Sequence, residues 1–386
     1  MVIDERILRL RHTLHRNAAL SNEEAGTAAI IRDFLADYEP DELIEGVGGH
    51  GLLAVWRAPT AGPVVLLRAE LDGLPIPETL ALEYGSKTAG VAHKCGHDGH
   101  MAMVAGLAPR LAGGQFGRGT VVLMFQAAEE TGEGARRMLD DPRFADYRPD
   151  WAFALHNLPG VPLGHVVLRE GCFASASKGL MVELEGATAH AAEPHMGRSP
   201  ALATAFLIQG FSALPQLTTR LDEAGQVTVI HANLGSRAFG TSPGSARVAA
   251  TLRTHQSDTM ERLEKRCLEL VNSAAEGFAL STEVSWHEEF PPTHNDPEAV
   301  EFVRRAALAC RRPIETPSRP FAWSEDFGCV TGDYRGVLFG LGAGVGHPAL
   351  HHPEYDFPDE LLPVGIGLFD EVLRNAVQGE ARGKTR

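Results

Sequence analysis

Short apolar runs alternate with helical stretches at both ends of this chain, and the alternation breaks off in the middle. The runs at residues 64–67, 121–125 and 152–155 carry no polar interruption, as strands buried on both faces of a sheet do. Residues 101–111 read as a helix between them. Near the start, Ile3, Ile7, Leu10 and Leu14 recur at helical spacing behind Asp4, a residue able to cap. A second helix is expected over about 23–38, with Ile30, Ile31, Phe34 and Leu35 on its apolar side. Such alternation predicts an α/β fold around a largely parallel or mixed sheet.

The pattern changes near Ser177. Residues 179–184 read as a strand, 200–214 as a helix, 226–230 and 246–252 as strands, 259–275 as a helix and 281–287 as a strand. Strand, helix, two strands, helix, strand is the ferredoxin-like order of a compact α+β unit. After Pro291-Pro292 the α/β pattern resumes. The expected organisation is therefore a first domain built from residues 1–176 and 292–386, interrupted by an inserted domain at 177–291. A length of 386 residues is compatible with this count. No internal repeat is visible, and the small, basic, polar tail at 379–386 is expected to fray.

Charge and cysteine usage narrow the function. Lys and Arg number 35 against 50 Asp and Glu, a formal net charge of −15. Acidic surfaces disfavour nucleic acid and anionic membrane, both of which need basic patches. The first residues are acidic and broken by charge, unlike a signal peptide. No apolar run reaches the eighteen residues of a membrane span. Five scattered cysteines, Cys95, Cys172, Cys267, Cys310 and Cys329, do not form a secreted disulfide framework. A reducing cytoplasmic location is expected, with a thiol available as a metal ligand.

Four segments carry chemistry. In His93-Lys94-Cys95-Gly96-His97-Asp98-Gly99-His100, a thiol and several imidazoles crowd a glycine-bearing loop just before a helix. Thiolate and imidazole suit zinc and related ions, and Asp98 could orient an imidazole. Gln126-Ala127-Ala128-Glu129-Glu130 follows an apolar strand, where open α/β sheets place their sites. One glutamate there can ligate while its neighbour acts as general base. Leu155-His156-Asn157 also follows an apolar run. The fourth segment, Gly346-His347-Pro348-Ala349-Leu350-His351-His352-Pro353, holds imidazoles between prolines. A solvated turn or a structural histidine explains any one of these alone, but not four together.

These motifs closely resemble the aminoacylase-type dinuclear metallopeptidase superfamily, in the amidohydrolase branch of hippurate hydrolases, indole-acetyl-amino-acid hydrolases and N-acetyl-diaminopimelate deacetylases. The resemblance runs from Leu14-His15-Arg16, Leu20-Ser21 and Glu23-Glu24 through Arg68-Ala69-Glu70-Leu71-Asp72-Gly73-Leu74-Pro75-Ile76 and the block 93–100. It continues through 126–130, 154–158, His190-Ala191-Ala192, Ser324-Glu325-Asp326-Phe327 and 350–357. It implies a two-metal exopeptidase-like catalytic domain with an inserted ferredoxin-like lid that often makes a homodimer. Carried over by position, the metal ligands are Cys95, His97, Glu130, His156 and His351, and Glu129 is the general base. His351 is preferred to His352 because the family pattern reads Leu-His-x-Pro. Asp72 falls where a carboxylate supports the ligands from behind. His190 matches a histidine that steadies the substrate carbonyl, and Arg253 an arginine that can hold a substrate carboxylate. Two departures touch substrate recognition. Gly240 stands where the branch usually has an asparagine, and Ser199 where an aspartate commonly precedes Pro200.

The resemblance implies hydrolysis of the amide bond of an N-acyl amino acid or related small amide, with two divalent ions per chain. Zn2+ or Mn2+ is expected, and Co2+ or Ni2+ would serve. A metallo-exopeptidase or an aryl deaminase on the same fold is the alternative, since substrate choice is not set by fold. A non-catalytic metal-binding protein would not need both Glu129 and Glu130. The glycine run 340–346 suggests a nucleotide loop, but Pro348 and Pro353 follow where that loop needs a helix.

Overall fold

The structure is a computed structural model that describes residues 3–378, so the tail at 379–386 lies outside the described residues. The chain divides into two compact units. One takes in the chain up to Phe173, then Thr293–Arg319 and the chain from Asp326 onward; the other is Ala174–Pro292 with Pro320–Glu325.

The first unit is built on an eight-stranded mixed sheet. Its order is Glu42–Val47, Gly51–Arg57, Thr120–Gln126, Val64–Glu70, Trp151–Pro159, Gly336–Gly344, Val166–Val167 and Ile314–Glu315. The four strands from Thr120–Gln126 to Gly336–Gly344 run parallel to one another. Each is buried along its length except at one terminal residue, which is why the sequence shows unbroken apolar runs rather than alternation. Their carboxyl ends deliver the segments after Glu70, Gln126, Leu155 and Gly344, so one edge of the sheet gathers all four chemical motifs.

Helix Glu5–Arg16 is capped by Asp4, whose side chain accepts the N–H of Arg6 at 2.8 Å, a contact typically contributing about 1 kcal/mol. The second helix is Ala25–Ala36, shorter at each end than expected. The helix expected at 101–111 begins earlier, as His97–Ala105, and a short helix Ala108–Ala112 follows it. Gly106 and Leu107 lie between the two, and Pro109 sits in the first turn of the second. All nine residues of His97–Ala105 are buried. It lies between strand Val64–Glu70 and the helices Glu5–Arg16 and Leu362–Gln378, which removes any polar face from its sequence. Among the described residues, no helix is long and apolar enough to cross a membrane.

The second unit has a four-stranded antiparallel sheet in the order Gly225–Leu234, Ser245–Thr254, Ala176–Glu185, Ser281–Phe290. Two helices, Ala201–Thr218 and Ser257–Gly277, complete a βαββαβ unit. Leu180, Val182 and Leu184 alternate onto the buried face, against Leu207 and Phe211 of one helix and Leu263, Cys267 and Val271 of the other. The expected insertion, 177–291, lacks one piece of this unit, Pro320–Glu325. Hydrogen bonds bring that piece in: Ser175 donates to the carbonyl of Phe321, and Arg253 Nη1 to the carbonyl of Ala322 at 2.9 Å.

Candidate metal centre

Gly96 opens the loop that matters most. Its φ of +90° lies in the left-handed region, and a Cβ there would sit 2.4 Å from Asn157 Nδ2 and 2.7 Å from the Tyr355 hydroxyl. Only glycine fits both demands. The turn sets Cys95 and His97 on either side of it, with His97 as the first residue of the helix.

Ligand-type atoms of Cys95, His97 and His156 lie within 4.8 Å of one another. The same holds for Cys95, Glu130 and His351, and for His97, Glu129 and Glu130. The three sets share members, so six side chains from four separated segments form one cluster. It offers one thiol, three imidazoles and two carboxylates.

The two buried imidazoles are oriented alike. Nδ1 of His97 donates to the backbone carbonyl of Asp72 at 2.9 Å, and Nδ1 of His156 to that of Asn157 at 2.8 Å. Each ring therefore presents Nε2 to the cluster, the arrangement that fixes the tautomer of a metal-ligating histidine. Nε2 of His97 is buried with no hydrogen-bond partner; it stands 3.8 Å from carboxylate oxygens of both Glu129 and Glu130. Nε2 of His156 is 3.5 Å from Cys95 Sγ. An unpartnered buried ring nitrogen facing a thiol and two carboxylates is costly by itself and is what a divalent cation would satisfy, so the donor set fits one.

Electrostatics agree. Burial and the neighbouring Glu130 carboxylate push the Cys95 thiol well up. Burial works against a charged His97, but Cys95 and Asp72 outweigh it and hold its pKa well above the ordinary imidazole value.

Asp72 is fully buried behind the cluster. Its Oδ2 accepts the backbone N–H of Glu130 at 3.0 Å and the Ser21 hydroxyl at 2.7 Å. His351 takes a φ of +65°, its N–H donates to the carbonyl of Lys94 at 2.8 Å, and its Nε2 lies 3.7 Å from Glu130. His352 instead accepts the N–H of Glu354 at Nδ1 and joins no ligand set.

Three other expected residues belong to none of these candidate sets. Asp98 joins none of the candidate sets; its Oδ2 pairs with Arg11 Nε at 2.9 Å and His15 Nδ1 at 2.8 Å. It orients an imidazole, but that of His15. In the second unit, Arg253 Nη1 bonds the Ala322 carbonyl and the Ser324 hydroxyl at 3.1 Å. His190 is exposed on a two-residue strand paired with Thr241–Ser242, and its Nδ1 accepts the Ala192 N–H. His100, inside the same block as Cys95 and His97, is held by other partners. Its Nδ1 donates to Glu70 at 2.7 Å, and its Nε2 accepts from Asn157. Asn157 and Tyr355, which brace the Gly96 turn, carry no metal-binding chemistry that would single them out in sequence.

Comparison with known proteins gives the chain a family. Residues 66–375 match the model of peptidase family M20/M25/M40. N-acetyl-L-cysteine deacetylase of Bacillus subtilis (strain 168) is 31% identical over 365 residues, 93% of this chain and 85% of that protein. Hippurate hydrolase of Campylobacter jejuni is 28% identical over 356 residues, 92% of each. A dinuclear metal-binding peptidase of the M20 family from Bacillus subtilis superposes with a TM-score of 0.81 at 25% identity, covering 97% of this chain and 98% of its own. The extent of the family match and the identity to the first of these relatives establish that the chain belongs to peptidase family M20/M25/M40.

Proposed function

We propose that the chain hydrolyses the amide bond of an N-acyl amino acid or a related small amide. The observation that carries this reading is the single cluster of Cys95, His97, Glu129, Glu130, His156 and His351, in a chain that runs nearly the full length of relatives named as deacetylases and a hippurate hydrolase.

Cys95, His97, Glu130, His156 and His351 would hold two divalent cations, Zn2+ or Mn2+ first among them. Bound there, such ions lower the pKa of a water towards neutrality and polarise a carbonyl. Glu129, next to the ligands but not needed as one, takes the proton from the attacking water and returns it to the leaving amine. His190 supplies a hydrogen bond to the developing oxyanion, and Arg253 pairs with the substrate carboxylate. The fold is equally suited to an exopeptidase, so the test is a panel. Metal-loaded protein is incubated with N-acetyl and N-benzoyl amino acids and with dipeptides, and amine release is followed. Cleavage of dipeptides alone would favour the exopeptidase.

The assembly is a homodimer formed through the second unit. Supporting this, Gly225–Leu234 is an edge strand with exposed Ile230 and Leu234, and helix Ala201–Thr218 exposes Leu202, Phe206 and Leu217. Open edges and apolar patches of this kind are ordinarily covered. None of the five cysteines is joined in a disulfide among the described residues, which favours a reducing, cytoplasmic setting.

A further inference from the structure

Glu24 is a fully buried carboxylate that the reaction above does not use. It occupies the capping position of helix Ala25–Ala36, yet its side chain makes no capping bond to that helix. Oε1 instead accepts the backbone N–H of Ala128 at 2.8 Å and of Asn22 at 2.9 Å. Oε2 is buried without a hydrogen-bond partner. Burial pushes the carboxyl up, while the amides of Ala128 and Asn22 work against that. A half-satisfied buried carboxylate is unfavourable for folding by itself, so its contacts point to a role beyond stability.

Ala128 has a φ of +52°, in the left-handed region that a side-chain Cβ disfavours. Its carbonyl accepts from Glu133 and Gly134, at 3.3 and 3.0 Å. The next two residues are Glu129 and Glu130, and the N–H of Glu130 is held by Asp72 at 3.0 Å. The backbone N–H groups of the residues before and after Glu129 are thus each gripped by a buried carboxylate from a distant part of the chain.

We infer that Glu24 is a positioning residue for Glu129: by holding the Ala128 amide it fixes the left-handed turn that aims the Glu129 carboxylate into the metal cluster. This rests on the amidohydrolase reading. Glu129 acts in the chemical step, so its displacement should lower kcat rather than weaken substrate binding.

Two variants of the full chain separate reach from charge. Glu24→Asp keeps the carboxylate but withdraws it by one methylene from the Ala128 amide. Glu24→Gln keeps an acceptor oxygen at the original reach. Both are loaded with Zn2+ and compared with wild type on an N-acetyl amino acid, with bound metal and Tm measured alongside. Glu24→Asp should lose about ten- to a hundredfold in kcat, with KM nearly unchanged and bound metal retained. Glu24→Gln should keep kcat close to wild type even where its Tm falls. Wild-type kcat in Glu24→Asp would overturn the inference, as would equal losses in both variants or a loss that follows lost metal. A wild-type chain that cleaves no N-acyl amino acid would overturn the functional reading and this inference with it. An active wild type beside an unimpaired Glu24→Asp would overturn only the inference.

Discussion

The backbone carbonyl of Asp72 accepts the Nδ1 proton of His97 at 2.9 Å, and the side chain of the same aspartate lies 3.5 Å from that nitrogen. The carboxylate also holds the Glu130 amide. One buried residue thereby sets the direction of an imidazole and the backbone of a carboxylate in the cluster, as the outer partners of metal sites do.

Asp72→Ala should therefore weaken metal retention about ten- to a hundredfold without removing a ligand. Cys95→Ser should weaken it too, because a hydroxyl is a harder and far less acidic donor than a thiol. His351→Ala should lose metal where His352→Ala keeps it, since His352 is bonded to Glu354. Metal analysis after dialysis reads all four. Full retention in His351→Ala would remove that histidine from the ligand set.

Glu129→Gln should keep fold and metal and lose about a hundred- to ten-thousandfold in kcat, because an amide cannot take the proton of water. His190→Ala should also keep metal, with a loss of about a hundred- to a thousandfold, the usual effect of removing one oxyanion donor. If His190→Ala sheds metal, the residue is a ligand and its assigned role is wrong.

Stability should depend on pH through Glu78. Burial raises its pKa, but hydrogen bonds from His15 and Lys94 prevail and bring it from 4.5 down to about 2. A depressed carboxyl stabilises the fold above its unfolded pKa, and that contribution fades as pH falls from 4.5 towards about 2. His15 is opposite in sign. Burial lowers its pKa, yet its bonds to Asp98 and Glu78 leave it above 6.5. Its contribution is complete below 6.5 and lost as pH rises through the folded value. The Tm difference between wild type and Glu78→Gln, both metal-free, should be largest between pH 4.5 and 6.5 and narrow on either side. A difference that is flat with pH would show that the carboxylate charge contributes nothing there.

Ile230 is 64% exposed on the edge strand of the second unit. Ile230→Lys should convert a dimer to a monomer on light scattering, because an edge lysine blocks strand-to-strand or face-to-face association. A variant that stays dimeric would move the contact elsewhere. A monomeric wild type would remove the dimer.

The parallel strands and the segments that meet in the cluster were legible in the sequence because each is a contiguous signal. The strands are apolar runs, and the thiol, imidazoles and carboxylates stand at their ends. Other parts were not. The Glu42–Val47 and Gly51–Arg57 hairpin joins a short, half-polar segment to an apolar one, and period alone does not assign it. Helix His97–Ala105 is buried all round, so no polar face marked its start. Asp98 and His100 share a block with Cys95 and His97 of the cluster, yet Arg11, His15, Glu70 and Asn157 claim them. Those partners come from remote positions that spacing cannot reveal. The grip of Glu24 on the Ala128 amide is invisible for the same reason.

The most direct test strips the protein of metal and titrates it with Zn2+ or Mn2+, following amine release from an N-acyl amino acid. Stripped protein should release none, and activity should rise to a plateau at two equivalents per chain, with Glu129→Gln binding the same two equivalents and remaining nearly silent. Amine release that survives complete removal of metal, or none from any N-acyl amino acid at full loading, would contradict the two-metal amidohydrolase.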